Sequence, residues 1–62
     1  MDVHDFREIL HEALVLYMVD GFSLLKEVKT FKEEGMISVN EGLVVRTQDD
    51  SEFQIIVTEN NK

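Results

Sequence analysis

The chain of 62 residues contains no cysteine and no proline. Without cysteine, neither a disulfide nor a thiolate metal site can staple the fold. A small scaffold lacking such staples relies on close packing or on oligomerisation. No repeat, linker or low-complexity stretch is visible, so residues 1–62 read as a single small acidic domain. Cations are scarce, with six Lys and Arg against thirteen Asp and Glu and a formal net charge of −7. Nucleic-acid binding draws on Lys and Arg neutralising phosphates, so this balance argues against a nucleic-acid partner. The same field favours a basic protein surface, although charge also serves solubility alone. No apolar run approaches the ~20 residues that cross a bilayer. The acidic start MDVHDFRE lacks the basic n-region of a signal peptide. A cytoplasmic protein with no membrane partner is expected.

What the chain does have is an apolar content of 44%, ordinary for a folded domain. Its most demanding segment is Ala13 to Val19, ALVLYMV, which is apolar all round. A helix of that kind needs cover on more than one side. A domain near this size buries only about 60% of its unfolded surface when it folds alone. The run therefore asks for a partner.

Helical periodicity predicts a first helix over about Val3 to Val19, with Asp2 and Asp5 at the favourable end of its dipole. Its main stripe comprises Val3, Phe6, Ile9, Leu10, Ala13, Leu14, Tyr17 and Met18. The opposite face starts with His4, Asp5, Glu8, His11 and Glu12 and turns apolar at Val15, Leu16 and Val19. Asp20-Gly21 should stop it. Leu24, Leu25, Val28 and Phe31 predict a second helix over Ser23 to Glu34, with Ser23 as N-cap and Gly35 as C-cap. The remainder alternates like strands. Met36 to Val39 reads as a short strand before the turn Asn40-Glu41-Gly42. Leu43 to Thr47 and Phe53 to Thr58 read as a hairpin in which Leu43, Val45, Phe53, Ile55 and Val57 share one face. The register that pairs Leu43 with Val57 and Val45 with Ile55 makes Gln48 to Glu52 the loop. The other face carries Val44, Arg46, Gln54 and Ile56, and Glu59 to Lys62 reads as a frayed tail. The expected fold is α+β: an antiparallel helix hairpin packed on a small antiparallel sheet of two or three strands, in ααβββ order.

Chemistry has little to use here. His4, Glu8 and His11 fall on one helical face, where imidazoles and a carboxylate could hold zinc or nickel. They do not form the H-E-x-x-H motif and lack an obvious fourth ligand, so a solvated face is the expectation, with no metal and no cofactor. Ser23, Ser38 and Ser51 have no histidine close in sequence, and Asp49-Asp50 suits a turn better than a catalytic pair. No catalytic residue is assigned, and the chain is not expected to be an enzyme. In size and acidity it resembles the small accessory proteins that phages and mobile elements use against host factors. The expected function is a small acidic protein-binding regulator or inhibitor acting by contact, as a homodimer or larger oligomer. Val15, Leu16 and Val19, extended by Tyr17, Met18, Val44 and Ile56, are its candidate interface. Glu8, Glu12, Asp49, Asp50 and Glu52 are its candidate acidic surface. The alternatives are a winged-helix-like nucleic-acid binder, reading with the second helix, and a bare oligomeric structural or accessory subunit.

Overall fold

A computed structural model of the chain describes residues 1–19 and 23–60. Helix α1 spans Val3–Met18. Asp2 caps it, its carboxylate accepting from the Asp5 backbone N–H at 2.9 Å, and this bond holds the Asp2 carboxyl below its ordinary value. Val19 closes the last turn through its N–H to the Val15 carbonyl. The expected stop at Asp20-Gly21 lies outside the described residues, as do Phe22, Asn61 and Lys62.

Three strands follow: β1 (Leu25–Thr30), β2 (Glu41–Thr47) and β3 (Glu52–Val57). They form an antiparallel meander in the order β1-β2-β3, with α1 against one face. The α+β class holds, but the chain has one helix and the order αβββ. The expected second helix and the helix hairpin are absent from the described residues. A winged-helix reader helix goes with them, because its residues are β1 and the turn after it.

The reason lies at Lys26. Leu25 pairs with Thr47 and Glu27 with Arg46, so Lys26 is the extra residue of a β-bulge. The bulge puts Leu25 and Val28 on the same face three positions apart, a spacing that imitates a helix. The helix-end signals further on are genuine but close a single turn over residues 31–35. The Thr30 N–H donates to the Glu33 carboxylate at 2.9 Å, and the Glu33 N–H donates to the Thr30 hydroxyl at 3.1 Å. This is a reciprocal capping box. At the other end Gly35 takes φ +75°, its N–H meets the Lys32 carbonyl, and the Met36 N–H meets the Phe31 carbonyl. Those bonds make a Schellman closure. Met36 to Val39, expected as a strand, connects this turn to β2 without strand structure. Ser23 caps no helix; its hydroxyl accepts from the Leu25 N–H at 2.9 Å.

The β2–β3 hairpin keeps the expected faces but pairs two residues tighter. Leu43 faces Ile55 and Val45 faces Phe53, with Arg46 opposite Glu52. The loop shrinks because Asp50 adopts φ 67°, the left-handed conformation that Asp tolerates better than most residues. The core lies between α1 and the sheet. Val28, Leu43 and Val45 are buried there, with Leu10, Leu14, Val15, Met18, Leu25 and Ile55 packed around them. Glu59 and Asn60 follow β3 as exposed chain.

Candidate interaction surface

Helix α1 turns a mixed face to the sheet. Leu10, Leu14, Val15 and Met18 pack on the core, and Arg7 beside them is only 5% exposed. Its guanidinium bonds Glu41 on β2 at 3.2 Å and Glu8 at 2.6 Å, and lies 3.4 Å from the His4 ring. The Arg7 hydrogen bond holds the Glu41 carboxyl below its ordinary value. One guanidinium nitrogen, Nη1, is buried without a hydrogen-bond partner. Sequence periodicity missed Arg7, because an arginine on a helix is by default a surface residue.

With Arg7 inward, part of the main apolar stripe points away from the sheet. Phe6, Ile9, Ala13 and Tyr17 of that stripe are exposed, and so is Leu16 of the opposite face, at 61%. Phe6, Ile9, Ala13 and Leu16 repeat at spacings of three, four and three, the a/d rhythm of a helix that meets another helix. Of the residues expected to form the interface, Leu16, Tyr17 and Val19 are exposed, while Val15 and Met18 contribute to the core.

The helix sits closer to β1 and β2 than to β3. This offset leaves a cleft of about 440 Å³ between the start of α1 and the last strand. Met1, Val3, Phe6 and Leu10 line one side and Ile55, Ile56 and Val57 the other. Phe53, which points to the helix side of the sheet, remains 57% exposed, and Ile56 on the other side 56%. Among the described residues β3 has a neighbour on one edge only.

The face of the sheet away from α1 is covered by charge. Arg46 pairs with Glu52 at 2.8 Å, with Glu27 at 3.4 Å and with Glu34, and Lys29 pairs with Glu27 at 2.8 Å. The Lys29 bond depresses the Glu27 carboxyl, and the Arg46 bond depresses that of Glu34. Phe31 closes over Gly42 from the same side. Val44, expected as part of an interface, is 1% exposed beneath this cover and offers no surface to a partner.

The expected acidic residues divide. Glu8 is tied to Arg7, Glu12 is exposed, and Glu52 is engaged by Arg46. At the hairpin tip Asp49 is exposed and closes the turn, accepting from the Thr47 hydroxyl and from the Ser51 N–H at 3.2 Å, which lowers its carboxyl. Asp50 points outward and meets Lys26 at 3.4 Å. No group of three His, Asp or Glu residues among the described residues is arranged to hold a metal ion. His4 instead lies 3.5 Å from Glu41 and 4.0 Å from Glu8. Ser23, Ser38 and Ser51 serve local turns, Ser38 by accepting from the Asn40 N–H. No helix among the described residues is long and apolar enough to cross a membrane. No protein-family model, curated protein or solved structure matches this chain.

Proposed function

We propose that this chain is a small acidic regulator or inhibitor that works by contact with protein, assembling with itself and presenting an acidic exterior to a basic partner, rather than by catalysis. The observation that carries the reading is the apolar surface left open on the side of the molecule that carries α1. Phe6, Ile9, Leu16 and Tyr17 on α1 and Phe53 on β3 are large, apolar and exposed. Scattered exposed apolar residues need no explanation, but grouped ones mark interaction sites. Carboxylates outnumber cations across the chain, which has a net charge of −7. Potential of that sign speeds encounter with basic surfaces and discourages acidic ones. Arg7, Lys26, Lys29 and Arg46 already face carboxylates of their own chain, which leaves few cations for phosphate.

The test is affinity capture at low and high salt, comparing the wild-type chain with Leu16→Asp. A carboxylate placed in an apolar contact must be desolvated or protonated. Proteins bound by the wild type, lost with the variant and released by salt are the expected result. Identical capture by both chains, or capture of nucleic acid in place of protein, would overturn the reading.

A further inference from the structure

We propose that two copies of this chain join edge to edge along β3, around a two-fold axis at Ile55, into one continuous antiparallel sheet with their α1 helices side by side. The inference rests on the reading that the chain acts by contact, and it names the first partner as a second copy.

The outer edge of β3 is open in a way that the outer edge of β1 is not. On β1 the Thr30 N–H is taken by Glu33, the Leu25 N–H by Ser23 and the Leu25 carbonyl by the Gln48 amide. The bulge at Lys26 further twists that edge. These are the devices by which sheet proteins prevent unwanted pairing. β3, EFQIIV, has no bulge, no proline and no lysine. Its backbone direction follows from the hairpin. The Thr47 N–H bonds the Ser51 carbonyl, so Ser51, Phe53, Ile55 and Val57 turn their backbone groups to β2. Glu52, Gln54 and Ile56 therefore turn theirs outward.

The strand is complementary to itself in one register. With Ile55 on the axis, Phe53 stands opposite Val57 and Ile55 opposite Ile55 on the helix side. Gln54 then meets Ile56, and Glu52 meets Thr58, on the other side. No carboxylate faces another, and the cross-strand apolar pairs are of the kind that stabilise sheets. The axis runs through the face that carries α1, so both helices lie on the same side. The cleft between α1 and β3 opens toward the axis, as does Phe6, which lines it. A second copy thus covers the strand edge and the cleft in one contact.

The surface area agrees. The chain exposes 4795 Å², where a compact monomer of 7.2 kDa exposes about 4100 Å². Its radius of gyration is 12.2 Å, against about 10.6 Å for a compact domain of this length. The excess of about 700 Å² includes the exposed segments at residues 37–40 and 58–60, and a standard interface hides ~800 Å² on each partner.

Sedimentation and light scattering over a concentration series provide the test, with two variants at the edge. Gln54→Pro removes an outward N–H and leaves every internal ladder bond in place, since proline is accepted on edges whose N–H faces solvent. Ile56→Lys places on β3 the charge that guarded edges carry. Each should keep the far-ultraviolet spectrum of the wild type and weaken the dimer about tenfold to a hundredfold, since the lost bond occurs twice around the axis. Ile55→Cys reads the register. The chain has no other cysteine, and facing residues at a non-hydrogen-bonded site lie within disulfide reach, so oxidation should give a covalent dimer, and Gln48→Cys at the hairpin tip should not. Raising salt should tighten self-association between chains of charge −7, opposite to its effect on a basic partner. A wild-type chain that stays monomeric at 100 µM would overturn the inference, as would a dimer indifferent to both edge variants. A monomer that still captures protein through Leu16 would defeat the β3 dimer and leave the contact reading standing.

Discussion

Gly42 shows how little room the sheet leaves at single positions. A methyl group there would collide with the Phe31 ring and with the Ile55 carbonyl, and the backbone carbonyl cannot retreat without opening the β2–β3 ladder. Gly42→Ala should therefore cost about 1–3 kcal/mol, in the range of overpacked cores. At this chain length a thermal melt should record a fall of several degrees or more; an unchanged Tm would contradict the placement of Phe31. Arg7 raises a different question at the same scale. Its hydrogen bond depresses the Glu41 carboxyl, so the pair stabilises the folded chain fully above the ordinary carboxylate value. That stability is lost as pH falls below the ordinary carboxylate value and through the lowered folded one. Glu27 and Glu34 act in the same direction through Lys29 and Arg46. The wild type should unfold progressively in acid. Arg7→Met should be less stable at neutral pH and lose less on acidification, as denaturant titrations at pH 7 and pH 3 would show. A parallel loss in both chains would mean that Arg7 and Glu41 are not coupled.

At the scale of elements, the turn between β1 and β2 decides how the sequence is read. Thr30, Glu33 and Gly35 are sound helix-boundary residues, and they bond as such, but Thr30 and Gly35 bracket one turn. A window that averages over them reports a helix. The bulge at Lys26 then supplies the false spacing upstream, and no residue-level signal distinguishes a bulged strand from a helical stripe. The β2–β3 hairpin was readable because Leu43, Val45, Phe53 and Ile55 must share a face in any register that buries them. Its exact pairing was not, because it depends on Asp50 accepting a positive φ. Thr30→Ala removes one half of the capping box and should cost about 0.5–2 kcal/mol. Glu33→Lys, which looks harmless on an exposed helix, should also destabilise, since it frees the Thr30 N–H. Urea melts of the two single variants and the double variant should show coupling, because both act on one reciprocal pair. Simple additivity would mean that the turn is not capped this way.

Across the whole molecule, charge and apolar surface divide the work. The helix-side core was accessible to sequence reasoning, as was the fact that α1 carries more apolar surface than its own sheet covers. The uncovered side of α1 was legible only in part: Leu16, Tyr17 and Val19 are exposed, but Val15 and Met18 face the core and Phe6 and Ile9 do not, because an inward Arg7 rotates the buried face away from the most apolar arc. Expectations about nucleic acid belong at this scale. Arg7, Lys26, Lys29 and Arg46 are all engaged by carboxylates, and Asp50 projects at the tip of the hairpin. An electrophoretic shift assay with duplex and single strands should show no retardation at micromolar protein and physiological salt. Micromolar binding that weakens steeply with salt would refute this distribution of charge.

The connectivity of the sheet also implies an order of events in time. Each strand pairs with the strand next to it in the chain, and the β2–β3 loop closes over only a few residues. Hairpins of this kind zip in roughly 1–10 µs, whereas contacts between distant segments wait for larger loops to close. Helix α1 reaches β2 and β3 only across the span of β1 and its turn, so it should dock after the meander has formed. In kinetic terms, Val45→Ala should slow folding, and Leu14→Ala should chiefly accelerate unfolding. Until α1 arrives, Leu43 and Val45 lie open to water on a bare sheet. The chain is then most vulnerable to its own kind, and a newly made copy would meet others first as a half-covered sheet.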